Sequence, residues 1–313
     1  MSDSKLTFQD LLGIQPETSS SNEEVISFVA IIGCGVIGRG IAWTVSQAGI
    51  DVLVIEKDEA SLQIAQERLS EAMDREIQRW AMTVSEKKSL LSRITWSTRI
   101  EDVEEADLII EAVDENFELK CEIFRKISEI AKPNTILVSN TSTFSLSEIA
   151  KVTKNPGLVI GMHFQHPVQK VSLVELVRGL ETTDETVNRA KLCASKIGKT
   201  AVEVFEYPGF ITTRCIIPFI NEAMYAYMEG IASAVDIDLA LKLAYNLQIG
   251  PLELADTMGL DELLAVMDSL WKTLGEPRFR ACPILRKLVR EKKLGKKVGE
   301  GFFKYNADGK IML

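Results

Sequence analysis

Three glycines within six residues, Gly33-Cys34-Gly35-Val36-Ile37-Gly38, separate two apolar stretches of different period. Residues 27–32 form a short apolar run, which reads as a strand buried on both faces. Residues 36–48 carry apolar side chains at helical spacing and stop at Gly49, a residue suited to a helix C-terminus. A second β-branched run covers 51–55. A strand, a tight turn, a helix and a second strand in about 30 residues form one half of a doubly wound parallel sheet. That single feature excludes all-β and all-helical folds for this part of the chain.

Each glycine has its own reason. Gly33 permits the turn, Gly35 lets a ligand approach the backbone, and Gly38 lets the helix pack close to the strand. The first turn of the helix, beginning at Val36 and Ile37, offers unpaired N–H groups and a positive dipole end to phosphate. Glu56 lies 18 residues beyond Gly38, at the end of the second strand. A carboxylate there accepts hydrogen bonds from ribose hydroxyls and repels a 2′-phosphate. The expected cofactor is therefore NAD rather than NADP, although Lys57 places a positive charge beside the acid.

The pattern continues with helical composition over 59–93, expected as a helical arm. Strands are expected at 106–112, 135–139, 159–162, 171–177 and 201–205, with helices at 118–131 and 184–197. Beyond Pro208-Gly209 the apolar spacing is helical throughout, with no strand expected. The domain organisation expected is a flexible extension at 1–25, an α/β dinucleotide-binding domain at 26–205 and a helical domain at 206–313. Within the extension, residues 8–12 have the composition of a short helix. A chain of 313 residues suits two domains.

With 46% apolar and 26% charged residues the chain has the composition of a water-soluble globular protein. A net charge of -9 gives no support to nucleic-acid or anionic-membrane binding. No apolar run reaches the ~18 residues of a membrane span, and no secretory or transit signal is expected. The five cysteines show neither pairing nor metal-ligand spacing, and read as reduced thiols of a cytoplasmic protein. No metal is expected.

The chain has two histidines, His163 and His166, followed by Glu175 in the apolar run Leu173-Val174-Glu175-Leu176-Val177. His163 follows a strand, where open α/β sheets place their ligands. Histidine takes and gives protons near neutrality. A carboxylate in an apolar strand needs a partner, and bonded to the imidazole it would fix the tautomer and stabilise imidazolium. The polar loop Ser139-Asn140-Thr141-Ser142-Thr143 also opens at a strand end and offers hydroxyls to a substrate oxygen.

Taken together, these residues resemble the short-chain L-3-hydroxyacyl-CoA dehydrogenases. The resemblance runs from Ser27 to Tyr305. It includes Ile110-Glu111-Ala112-Val113-Asp114-Glu115-Asn116, Pro208-Gly209-Phe210-Ile211, Gly250-Pro251-Leu252-Glu253-Leu254-Ala255-Asp256 and Gly295-Lys296-Lys297-Val298-Gly299-Glu300-Gly301-Phe302-Phe303. It implies that His163 and Glu175 are a catalytic pair and that Ser142 contacts the substrate oxygen. It also implies that Glu115, Lys120 and Asn140 belong to the NAD site, that Arg79 helps hold CoA, and that the helical domain forms a homodimer. Two positions depart from the family pattern. His166 and Thr213 each stand where the family has asparagine near the substrate. Threonine donates through a shorter hydroxyl, so a positioned bond is lost or rebuilt. The departures leave three readings open: the usual oxidoreduction of an L-3-hydroxyacyl-CoA, the same chemistry on a hydroxyacyl (for example glyceryl) carrier protein, or a catalytically impaired NAD-binding homologue.

Overall fold

The computed structural model describes residues 26–142, 144–306 and 308–312. The expected extension at 1–25 and its short helix lie outside the described residues, as does Thr143.

Strand β1 (Phe28–Ile32) is buried from Val29 onward, as its unbroken apolar run requires. Helix α1 (Val36–Gln47) returns along the sheet to β2 (Asp51–Ile55). The stretch expected as one helical arm folds as two helices, α2 (Glu59–Gln78) and α3 (Val84–Leu91). The first is no free arm: Leu62, Ala65, Leu69 and Met73 are buried along one face. It ends where Trp80 takes a left-handed backbone (φ 59°), and a capping box between Thr83 and Glu86 restarts the helix. The chain then forms β3 (Ile94–Ser97), β4 (Leu108–Glu111), α4 (Phe117–Ile130), β5 (Ile136–Ser139), α5 (Leu146–Ala150), β6 (Val159–Phe164), β7 (Leu173–Arg178), α6 (Asp184–Lys196) and β8 (Thr200–Phe205). Strand β3 was not among the sequence expectations. It is a four-residue edge strand buried only at its first residue, too polar to stand out from the charged helices before it.

The eight strands lie in the order β3-β2-β1-β4-β5-β6-β7-β8. Strand β1 pairs in parallel with β2 on one side and β4 on the other. The chain reverses direction across the sheet at that point, opening the crevice in which doubly wound folds bind ligands. All neighbours are parallel except β6 and β7, whose antiparallel register sets His163 directly opposite Glu175. Side chains of such a pair share one face of the sheet, with Cβ atoms about 5 Å apart.

Helices α7 (Thr212–Met228), α8 (Ala234–Tyr245), α9 (Pro251–Met258), α10 (Leu260–Leu274) and α11 (Pro283–Arg290) follow. They enclose their own core around Ile217, Ile220, Met224, Leu252, Leu263 and Met267. The expectation of no strand in this region fails at its end. Strands β9 (Lys304–Tyr305) and β10 (Ile311–Met312) pair antiparallel in a two-stranded hairpin, too short for alternating polarity to register.

Candidate active site

At the crevice, Gly33 has φ +88°, and a Cβ there would lie 2.9 Å from the Ala112 carbonyl oxygen. Only glycine meets both demands. A Cβ on Gly38 would come within 2.1 Å of the Gly33 carbonyl oxygen, so the first turn of α1 is pressed onto the loop. Gly35 differs: a Cβ there would meet nothing within 4 Å. The backbone at Gly35 therefore faces open space, the cradle a pyrophosphate needs. No side chain caps α1, and none of its first-turn residues is acidic, so its N–H groups remain available to an anion. Val36 is exposed and Ile37 half-buried beside this opening. Glu56 accepts a 2.6 Å bond from the Cys34 amide and lies on a cavity of about 740 Å³ shared with Gly33, Cys34 and Gly35. These residues fit a dinucleotide. Burial pushes the Cys34 thiol up to about 12, which keeps it protonated near neutrality.

Beside this cavity Lys120 is fully buried in α4. Its Nζ lies 2.7 Å from Glu111 Oε1 and 3.2 Å from Glu115 Oε2. Glu111 also accepts from the Ser139 hydroxyl at 2.7 Å and from the Val113 amide at 2.9 Å. Glu115 accepts from the Thr141 hydroxyl and from the Ser142 amide at 3.2 Å. The cluster ties the ends of β4 and β5 to α4 and sets the Asn140–Ser142 loop. Lys120 thus turns its ammonium to two carboxylates and does not line the nucleotide cavity. Asn140 uses its side-chain oxygen to accept from the Phe164 amide at 3.1 Å, holding the residue next to His163.

His163 Nδ1 lies 2.8 Å from Glu175 Oε2. Both side chains are buried, Glu175 at 1% exposure. Burial alone would raise the Glu175 pKa. Hydrogen bonds from His163 and from the amide and hydroxyl of Thr212 outweigh it, and the carboxyl titrates below its ordinary value. An ionised carboxylate can only accept, so Nδ1 carries the ring proton. Gln165 Nε2 is 3.2 Å from the protonated Nδ1 and 3.1 Å from Thr212 Oγ1; it donates to the threonine. That leaves Nε2 of His163 without a bonding partner among the described residues. The Phe210 ring packs edge-on against the imidazole at 5.5 Å.

The second oxygen of Glu175 accepts from the amides of Ile211 (3.0 Å) and Thr212 (2.9 Å), and the Thr212 hydroxyl donates to Oε2 at 2.8 Å. Helix α7 has no side-chain cap of its own. A carboxylate from the sheet caps it instead, where the helix dipole favours negative charge. Thr213 is expected at the substrate oxygen; Thr212, one residue earlier, is the one that reaches Glu175. Thr213 lies with Gln165 and Thr212 on a mainly apolar cavity of about 750 Å³ that Ile216, Phe219, Leu254 and Met258 also line.

His166 stands where this apolar cavity meets another of about 830 Å³. The latter is bordered by Arg39, Arg68, Arg75, Arg79 and Lys170, against two acids, Glu71 and Glu76. Arg79 is mostly exposed and pairs with Glu76 at 3.3 Å. Sequence reading found Arg79 but missed Arg68 and Arg75, whose common signal is their recurrence on one side of α2. It also missed Gln165 and Thr212, for which the spacing offers no signal.

Two family models divide the chain. Residues 28–207 match the NAD binding domain of 3-hydroxyacyl-CoA dehydrogenase, and residues 209–305 match its C-terminal domain. The chain belongs to the 3-hydroxyacyl-CoA dehydrogenase family. Members of this family are NAD-dependent oxidoreductases, and NAD is the cofactor of this chain. A probable 3-hydroxybutyryl-CoA dehydrogenase of Bacillus subtilis is 43% identical over 280 residues, 90% of this chain and 98% of that protein. A 3-hydroxybutyryl-CoA dehydrogenase of Clostridioides difficile is 38% identical over 278 residues, 89% of this chain and 99% of the relative. The crystal structure of (S)-3-hydroxybutyryl-CoA dehydrogenase from Ralstonia eutropha superposes with a TM-score of 0.83 at 39% identity, covering 90% of this chain and all of that one. In this 3-hydroxyacyl-CoA dehydrogenase family member no described helix is long and apolar enough to cross a membrane.

Proposed function

We propose that this dehydrogenase interconverts an L-3-hydroxyacyl-CoA and the 3-oxoacyl-CoA, with His163 moving the proton. The observation that carries the reading is the 2.8 Å His163–Glu175 contact, which fixes Nδ1–H toward the carboxylate and leaves Nε2 for substrate. In oxidation Nε2 takes the hydroxyl proton, and Glu175 stabilises the imidazolium that forms. In reduction the imidazolium returns the proton to the nascent alkoxide. NAD, held by the glycine loop and Glu56, would supply the hydride acceptor. Ser142 and Thr213 flank the substrate oxygen, with Glu115, Lys120 and Asn140 holding the adjacent loop and strand end in place for the cofactor.

The cationic cavity at Arg39, Arg68, Arg75 and Arg79 suits the phosphates of CoA, and the apolar cavity beyond His166 suits the acyl chain. A cavity bordered by several arginines offers partners for the additional phosphates of CoA, which favours free CoA esters over a carrier protein. Exposed apolar side chains at Ile231, Val235, Leu239 and Leu243 recur every four residues, from the turn before α8 along the helix. Such a ridge supports a homodimer formed through the helical region. A cytoplasmic setting agrees with five unpaired cysteines.

The test is NADH oxidation with acetoacetyl-CoA. The wild-type protein should turn over, and His163→Ala should be slower by at least ~100-fold. Near-normal turnover by that variant would remove His163 from the proposal. Preference for a carrier-bound substrate over acetoacetyl-CoA would move the substrate class.

A further inference from the structure

We infer that Thr212 is a positioning residue for the proton-transfer pair: its hydroxyl, oriented by Gln165, holds the Glu175 oxygen that receives His163. The inference rests on the role proposed above for His163. Three bonds form one directed chain. Gln165 Nε2 donates to Thr212 Oγ1 at 3.1 Å, Thr212 Oγ1 donates to Glu175 Oε2 at 2.8 Å, and the same Oε2 accepts from His163 Nδ1 at 2.8 Å. A hydroxyl has one proton. By donating to Oγ1, Gln165 leaves that proton no better acceptor than the carboxylate.

The chain joins the two halves of the molecule. Gln165 follows β6, Glu175 is on β7, and Thr212 opens α7. Oε1 is fixed separately by the Ile211 and Thr212 amides. Both carboxylate oxygens are therefore held from the start of α7, and only Oε2 is shared with the imidazole. Carboxylate orientation, and with it the orientation of His163, depends on how α7 docks on the sheet.

The charged surroundings leave Glu175 and His163 to each other. On β8 the residue paired with Glu175 is Val202. Glu203 is held by Arg178 and Lys191, and Glu206 accepts from Ser147. On α7, Arg214 faces Glu276 at 3.6 Å and the Tyr207 ring. Lys120 is taken up by Glu111 and Glu115. His166, beyond Gln165, lies within the electrostatic influence of Glu262.

A donor on Oε2 draws off charge that would otherwise act on the imidazolium. Removing it should stabilise imidazolium while loosening the carboxylate. The experiment is the pH profile of kcat/KM for 3-hydroxybutyryl-CoA oxidation by wild type, Thr212→Val, Thr212→Ser and Gln165→Met. In the valine variant the acidic limb should move to higher pH by about half a unit, a roughly 3-fold loss of rate below the limb. The serine variant should return the limb to its wild-type position, and Gln165→Met should move it in the same direction as valine by less. NADH affinity should not change. A purely structural threonine would lower the melting temperature without moving the limb. A limb that stays in place, or moves to lower pH, in the valine variant overturns the inference whatever the melting temperature. Should that variant fail to fold, Gln165→Met decides by the same criterion. If His163→Ala keeps normal turnover the proposed function itself falls, whereas an inactive His163→Ala with an unmoved limb removes only the role of Thr212.

Discussion

Two glycines of one motif are needed for different reasons, and single substitutions should separate them. An alanine Cβ at Gly38 meets a backbone oxygen at 2.1 Å, which cannot yield as a flexible side chain would. Gly38→Ala should lose about 1–3 kcal/mol of stability, the usual cost of overpacking, and NADH binding with it. Gly35→Ala has free space within the protein. Its melting temperature should stay within about a degree of wild type, while its NADH dissociation constant rises about 10-fold or more, or at least ~1.4 kcal/mol. Thermal melts and fluorescence titration measure both. A Gly35→Ala protein with unchanged NADH affinity would show that no ligand approaches there. At this scale the chain was partly legible. His163 and Glu175 stood out because histidine is rare here and a carboxylate in an apolar strand demands a partner. Thr212 did not, because its bond spans 37 residues. Its reach to Glu175 depends on where α7 begins.

Among the elements, long helices and unbroken apolar strands were readable, and short polar elements were not. Helix α2 showed its buried stripe in the spacing of Leu62, Ala65, Leu69 and Met73. The break after Gln78 depends on one left-handed residue, Trp80, which no periodicity marks. Strand β3 is as long as β4 and β5 but polar and half exposed, and β9 and β10, two residues each, are too brief for a period to appear. The turn before β9 is organised by Asp256 of α9, which is fully buried. Its carboxylate accepts from the Phe302 and Phe303 amides (2.9 Å each) and from the Tyr305 hydroxyl (3.0 Å). Burial outweighs these bonds and raises its pKa from 3.8 to about 6. Between those values the folded state holds a proton that the unfolded state has released. Its contribution is thus most favourable below about pH 4, falls as pH rises to about 6, and is level above. Asparagine cannot titrate and offers one accepting oxygen. Asp256→Asn should be less stable than wild type by about 1–3 kcal/mol at neutral pH. The gap between the two should widen as pH falls from about 6.5 to 4.5, a trend that urea midpoints at several pH values can read. A gap independent of pH would mean that Asp256 titrates alike in both states.

Across the whole molecule, the apolar ridge of Ile231, Val235, Leu239 and Leu243 is left open by the described residues; Leu243 is 76% exposed. The homodimer proposed above covers it. Leu239→Glu combined with Leu243→Glu should convert a dimer to a monomer in sedimentation equilibrium, since two charges buried in an apolar interface cost more than it can recover. Equal masses for wild type and variant would place the contact elsewhere. The sequence by itself determined the strand–turn–helix start, the helical last third, the cofactor class and the identity of the histidine and its acid. Each is written in local spacing, in which turn, helix and strand propensities act over a few residues. The tertiary structure alone decided that β6 and β7 run antiparallel in the register that sets His163 against Glu175. It also decided that the uncapped start of α7 arrives at that carboxylate, and that Arg39 and the arginines of α2 border one cavity. These contacts join residues distant in sequence, and their geometry follows from how the sheet and helices pack rather than from any local preference.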